Sequence, residues 1–150
     1  MTLTIQEPGE SDRGDWEHLY RGYAKFYQVP MNDEILAAVW GWIFDPRKEF
    51  HCILAREDDG PAVGLMHFRP MFSPARGAIA GFLDDLFVEP SARGRGIVDR
   101  LFEELSTRAR DQGWPVVRWI TRDNNYRARA VYDRVALRTD WITYELNPRR

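Results

Sequence analysis

The sequence predicts an α/β (α+β mixed) fold, a mixed sheet covered by helices on its faces, and three observations carry that reading. Apolar residues recur at helical spacing from Trp16 to Tyr27 and again from Ile35 to Ile43. Two strand-like runs then flank the turn-rich stretch Glu57-Asp-Asp-Gly-Pro61. From Ile79 onward the pattern alternates strand, helix, strand, helix, strand.

Taken in order, Leu3 and Ile5 alternate with polar neighbours as a first strand does. After a Pro8–Asp12 turn, Ser11 or Asp12 is placed to cap a helix bearing Trp16, Leu19, Tyr20, Tyr23, Phe26 and Tyr27. Asn32 or Asp33 caps a second helix, which ends near Asp45-Pro46 because the residue before a proline avoids helical backbone. Phe50–Arg56 and Ala62–Pro70 form a hairpin. Ile79–Val88 is a strand stopped by Pro90, and Gly96 to about Gln112 is a helix ended by Gly113. Val116–Thr121 is a strand, Asn125–Ala136 a helix, and Arg138–Leu146 a closing strand.

At 150 residues and 17.6 kDa the chain fits one domain, residues 1–150. Its 44% hydrophobic and 29% charged residues are those of a soluble globular protein. No apolar run approaches a membrane span, and the N-terminus reads as no signal peptide, so no membrane partner is expected. A lone Cys52 excludes an intrachain disulfide and fits a reducing, cytoplasmic setting. His18, His51, His67 and Cys52 have no metal-ligand spacing, so no metal is expected, and the histidines have no sequence partners that would make a triad. With 21 basic against 23 acidic residues, the balance argues against nucleic acid as the main partner.

Chemistry concentrates in two stretches. In Asp84-Asp-Leu-Phe-Val-Glu-Pro-Ser-Ala-Arg-Gly-Arg-Gly-Ile-Val98 a strand gives way to a helix through glycines. A helix start offers unpartnered backbone N–H groups and a favourable dipole to an anion. Gly94 and Gly96 take away side chains that would obstruct a diphosphate, and Arg93 and Arg95 add positive charge. Neither a dinucleotide fingerprint nor a P-loop fits this spacing. The second stretch is Asn125-Tyr-Arg-Ala-Arg-Ala-Val-Tyr-Asp-Arg-Val-Ala-Leu137.

Arg93-Gly-Arg-Gly-Ile-Val98 resembles the Arg/Gln-x-x-Gly-x-Gly/Ala acetyl-CoA signature of the GNAT (GCN5-related) N-acetyltransferases, with Val98 in place of the last small residue. The second stretch resembles that family's Asn-x-x-Ala-x-x-x-Tyr-x-x-x-Gly-Phe, with Ala136 and Leu137 at the end. Together with Trp119-x-Thr121 and Leu83–Val88 they look like the branch of histone/polyamine and diamine acetyltransferases. The resemblance implies a mostly antiparallel sheet with splayed middle strands that hold acetyl-CoA. It implies cofactor contacts from Leu86, Phe87 and Val88 along the strand, where the pantetheine arm adds like a further strand. Arg93, Gly94, Arg95, Gly96, Ile97 and Val98 would take the diphosphate. Asn125 would bond the arm, and Arg129 would either reach the phosphates or remain solvated.

By the same resemblance Tyr132 protonates the departing thiolate. Asp84 and Asp85 are the alternatives for the base and for gripping a cationic acceptor, Asp84 ranking first. Since adjacent strand residues face opposite sides, only one of the two is expected in a given cleft. The aromatic residues between Trp16 and Tyr27 line an acceptor pocket or pack the core, and Cys52 reads as a small buried group rather than a nucleophile. The expected activity is transfer of acetyl from acetyl-CoA to a primary amine, by direct attack in a ternary complex. A protein or histone-tail lysine acetyltransferase and a non-catalytic acetyl-CoA-binding module are the other readings. The Trp and Tyr content leaves room for a homodimer, as among relatives.

Overall fold

A computed structural model describes residues 2–149. By its contacts the chain divides into two compact units, Met1–Trp119 and Ile120–Arg150. The first contains β1 (Leu3–Gln6), α1 (Arg13–Tyr27), α2 (Asp33–Phe44), β2 (His51–Glu57), β3 (Ala62–Ser73), β4 (Ala78–Val88), α3 (Ile97–Gln112) and β5 (Val117–Arg118). The second contains α4 (Tyr126–Val135). The strands lie in the order β1-β2-β3-β4-β5. All neighbours are antiparallel except β4 and β5, which are parallel. The fold is thus a mixed, mostly antiparallel sheet flanked by helices.

Local chemistry sets the helix ends. Asn32 caps α2 by accepting the Ile35 N–H at 2.9 Å. Asp45, extended ahead of Pro46, ends it. Gly113 adopts φ 74° past the end of α3, and the Trp114 N–H returns to the Ala109 carbonyl at 2.9 Å.

Alternation of side chains then sorts the sheet into two faces. On one face Trp16 and Leu19 of α1 and Leu36, Val39 and Trp40 of α2 pack on Cys52, Leu54, Leu65 and Phe87. On the other, α3 buries Ile97, Leu101, Leu105 and Ala109. Each fully buried Leu or Ile contributes roughly 1.5–3 kcal/mol. A Cβ on Gly64 would meet Ile97 and Leu101 at 3.3 and 3.4 Å, and one on Gly81 would collide with the Trp114 ring, so both glycines allow close approach of that second layer.

Three departures from the sequence expectations matter for the site. First, β5 spans two residues instead of Val116–Thr121, and its pairing with β4 stops at Phe82↔Arg118 although β4 runs on to Val88. Among the described residues no strand pairs with this edge of β4 past Phe82. Second, β4 carries a bulge: His67 pairs with Asp85 and Phe68 with Leu83, leaving Asp84 as the extra residue. Third, the closing strand Arg138–Leu146 does not form, and residues 137–147 carry no regular element. Its composition favours a strand, but a strand exists only against a partner edge, which composition does not supply. Leu137, Trp141, Ile142, Tyr144 and Leu146 are each at least 75% exposed.

Candidate active site

The bulge decides how the two aspartates stand. His67 and Arg69 alternate along β3 on the face covered by α1. Asp85 meets His67 there, its Oδ2 lying 2.8 Å from Nδ1, and accepts a hydrogen bond from the Tyr20 hydroxyl at 3.0 Å. Asp84 meets Arg69, which donates through Nε at 2.9 Å and Nη2 at 3.2 Å in a two-pronged ion pair. Both carboxylates therefore face α1, contrary to the expectation that neighbours on a strand diverge. An extra residue in one strand re-aims a side chain that strict alternation would send away.

Their environments differ. The Asp85 side chain is 11% exposed, and the Tyr23 phenol stands close enough to feel its charge. Asp84 is 24% exposed. Burial pushes the Asp84 carboxyl above its usual value, Arg69 holds it down in part, and the charge of Asp85 adds to the rise. Burial, followed by the charge of Asp85, pushes the Tyr20 and Tyr23 phenols far above their ordinary value, so both remain donors. Arg69 also lies over the Phe82 ring at 4.8 Å. On β2, Cys52 is paired in register with His67, and burial raises its thiol well above the ordinary value. That favours the thiol over the thiolate a nucleophile needs, so Cys52 packs the core as expected.

The turn from Arg93 to Val98 is built by backbone. Gly94 and Gly96 both take φ 79°, a conformation that L side chains rarely adopt, and a Cβ on either would point into open space. Gly96 caps α3, whose first intrahelical bond runs from Arg100 N–H to the Gly96 carbonyl. The N–H groups of Ile97, Val98 and Asp99 thus precede the helical ladder and point outward from the helix start. Ile97 is buried while Val98 is half-buried, so the first side chain of α3 anchors the helix.

The arginines of this turn are engaged in shaping it. Arg93 Nε donates to the Val88 carbonyl at 3.1 Å, with its guanidinium 5.6 and 5.7 Å from the Phe26 and Phe87 ring centres. Arg95 donates to Glu57 Oε1 at 2.7 Å and to the Ser91 carbonyl at 2.9 Å. Glu57 Oε2 is buried with no hydrogen-bond partner among the described residues. Along this edge of β4, Leu86 is half-buried and Phe87 and Val88 are buried.

In the C-terminal unit Asn125 donates from Nδ2 to Thr121 Oγ1 at 3.1 Å. Arg129 donates to the Asp123 carbonyl and lies 6.0 Å from the Tyr126 ring centre. Tyr132 sits on α4, half-buried, its carbonyl accepting the Ala136 N–H at 2.9 Å. Among the described residues no cluster of three His, Cys, Asp or Glu side chains could hold a metal ion.

A family model described as the acetyltransferase (GNAT) family matches residues 16–136, which takes in the bulged strand, the glycine turn and the Asn125–Tyr132 stretch. The chain belongs to this family. GNAT proteins use acetyl-CoA, so this is an acetyl-CoA-dependent acetyltransferase. It is 29% identical over 146 residues to D-amino-acid N-acetyltransferase HPA3 of Saccharomyces cerevisiae, spanning 97% of this chain and 91% of that protein. It is 30% identical over 143 residues to thialysine N-epsilon-acetyltransferase of Bos taurus, spanning 87% and 81%. Among solved structures, the fold matches AAC(6')-Iy in complex with a bisubstrate analog with TM-score 0.84 at 17% identity, over 98% of this chain and 99% of that one. A ribosomal-protein-alanine N-acetyltransferase from Brucella melitensis matches with TM-score 0.78 at 23% identity, over 97% and 99%.

Several site residues escaped the sequence reading. His67 showed no partner near it in sequence, and Arg69 drew no notice, because their partners arrive by strand pairing. One signal was available: a histidine inside the apolar run Leu65-Met-His-Phe68 must find a hydrogen-bond partner if buried. Of the aromatic residues on α1, Trp16 is core, while Tyr20 bonds Asp85 and Tyr23 stands near it.

Proposed function

We propose that this enzyme acetylates a primary amine, either a polyamine-like small molecule or a lysine-type side chain, by direct attack on acetyl-CoA in a ternary complex. The observation that carries this is the pair of carboxylates on one sheet face, with Asp84 raised by burial beside the open edge of β4. An ammonium group suits two adjacent carboxylates, and it must lose a proton before its nitrogen can attack. Asp84 is the base, taking that proton, directly or through water, as the C–N bond forms. Asp85, filled with donors, supplies fixed negative charge. Tyr132 gives its phenolic proton to the thiolate as the C–S bond breaks; this role rests on the family resemblance of the Asn125–Tyr132 stretch. Tyr132→Phe is expected to lower kcat about a hundredfold with acetyl-CoA affinity unchanged.

The glycine turn and the start of α3 fit a diphosphate, since open space lies beyond both glycines and outward N–H groups stand at the helix start. Gly94, Gly96 and the amides of Ile97 and Val98 would hold it, with Arg93 and Arg95 nearby. The backbone of Leu86, Phe87 and Val88, and Asn125, would take the pantetheine arm, whereas Arg129 is engaged within its own unit. The family match runs through both units, which supports a single functional domain over 1–150.

Relatives named for D-amino acids and thialysine support an amine acceptor. The near-balanced charge supports small-molecule partners over nucleic acid or a membrane surface. The free, buried Cys52 supports a cytoplasmic setting. The test is thiol release from acetyl-CoA in the presence of spermidine, thialysine, a D-amino acid, an aminoglycoside or a lysine peptide. Acceptor-dependent release with a free amine is expected. Release with the lysine peptide alone would make this a protein or histone-tail acetyltransferase, and binding without release a regulatory module.

The enzyme is further proposed to form a homodimer in which residues 137–146 of one copy add to a sheet edge of the other. Ile142, Tyr144 and Leu146 recur at every second position and would share one side if this segment were extended, and among the described residues β5 is the last strand of the sheet. Covering two aromatic and three aliphatic side chains in each copy buries an area on the order of the ~800 Å² per partner of a stable interface. Light scattering is expected to give a dimer that Ile142→Lys with Tyr144→Lys dissociates.

A further inference from the structure

The hydrogen bonds behind Asp85 fix a proton that the mechanism above does not use. An indole nitrogen can only donate, and Trp16 Nε1 donates to His67 Nε2 at 2.9 Å. Nε2 therefore holds a lone pair, and the imidazole proton sits on Nδ1, from which it is donated to Asp85 Oδ2. Trp16 and His67 are both 0% exposed, so water cannot substitute for either bond. A second proton on the ring would have to sit on Nε2, where the indole N–H already points.

We propose that Trp16 and His67 form a positioning relay: the indole fixes His67 in its Nδ1–H form, and His67 with Tyr20 clamps Asp85 as a fixed anion beside Asp84, facing the acceptor amine. The ionisable groups around the ring come from several elements. Asp84 and Asp85 belong to β4, Tyr20 and Tyr23 to α1, Cys52 to β2, and Arg69 stands one pleat along β3. From α2, Trp40 backs the indole, and ahead of β2 the Phe50 ring lies 5.0 Å from the imidazole; neither ionises. The relay keeps the Nδ1 donor aimed at Asp85 in a site meant to attract a cation. Its kinetic consequence rests on the amine-acetylation reading, but its protonation state does not.

Nitrogen-15 spectra of the full chain with labelled histidine test the state directly. The expected result is a His67 signal protonated on Nδ1 and bare on Nε2. A proton on Nε2 overturns the proposal. Trp16→Phe is expected to release the lock, so that a form of His67 protonated on Nε2 becomes populated in the same spectra. The KM for spermidine or thialysine, whichever turns over, then rises about tenfold, because Asp85 loses its fixed Nδ1 donor. His67→Gln, which cannot place a donor at Nδ1, is expected to lower kcat/KM for the amine by about ten- to a hundredfold with acetyl-CoA KM unchanged. His67→Asn, whose amide can stand near Nδ1, restores most of it. Equal losses in His67→Gln and His67→Asn, tracking stability or acetyl-CoA affinity, would reduce the pair to packing and overturn the proposal even if Trp16→Phe fails to fold. Wild-type protein that turns over no amine would instead sink the acetyl-transfer reading, leaving the spectra to decide the relay.

Discussion

The glycine turn and the carboxylate pair are both anchored on β4, yet they are built from opposite materials. The turn is made of backbone: two glycines at φ 79° expose amides, while Arg93 and Arg95 are tied to the turn's own carbonyls and to Glu57. The pair is made of side chains, with Arg69, His67, Tyr20 and Tyr23 converging on Asp84 and Asp85 from two other elements. A backbone site tolerates almost any side chain that preserves its conformation, whereas a side-chain site depends on the identity of each member. Substitutions in the turn should therefore change cofactor affinity, and substitutions around the pair should change turnover and its pH dependence.

The sharpest test of that division is Asp84→Asn, expected to lower kcat by about a hundredfold or more with acetyl-CoA Kd unchanged, read by steady-state kinetics and calorimetry. A matching loss of cofactor affinity would break the contrast. Gly96→Glu should do the reverse. Bulk, an unfavourable positive φ and a like charge beside the diphosphate are expected to weaken acetyl-CoA binding by about ten- to a hundredfold. Normal affinity in calorimetry would remove the diphosphate from this turn.

Smaller effects sharpen the picture. Arg69→Met removes the cation that holds Asp84 down, so its pKa should climb further. A base is active when deprotonated, so the acidic limb of the kcat/KM profile should move to higher pH. A limb that stays in place would take Asp84 out of the base role. Glu57→Gln removes the carboxylate that competes for Arg95, and a few-fold tighter binding of acetyl-CoA at low salt is expected, fading as salt rises. Unchanged affinity would mean that Arg95 serves only the turn.

The same contrast explains what could be read from the sequence. The turn was legible because glycine spacing, a preceding strand end and a following amphipathic helix are neighbours along the chain. Asn32 as a cap and Gly113 as a stop were legible for the same reason. The orientation of Asp84 and Asp85 was not, because a bulge depends on how β3 pairs with β4, and nothing within either strand announces it. The role of His67 is not legible because Trp16 and Asp85 lie 51 and 18 residues away. The closing strand failed differently: alternation within Arg138–Leu146 tells which side chains would share a face, not which edge would receive them.

The bulge has one more consequence, which concerns parity. Before it, Phe82 faces α1 and Leu83 faces α3; after it, Asp85 faces α1 again. Taking Asp84 out would therefore leave the sequence Phe82-Leu83-Asp85 in perfect alternation, with every remaining side chain already on its proper side. Asp84 is a supernumerary link, an insertion that the sheet absorbs without turning over a single neighbour. A lineage could gain or lose this carboxylate by one codon, keeping the architecture while switching its acid–base chemistry on or off.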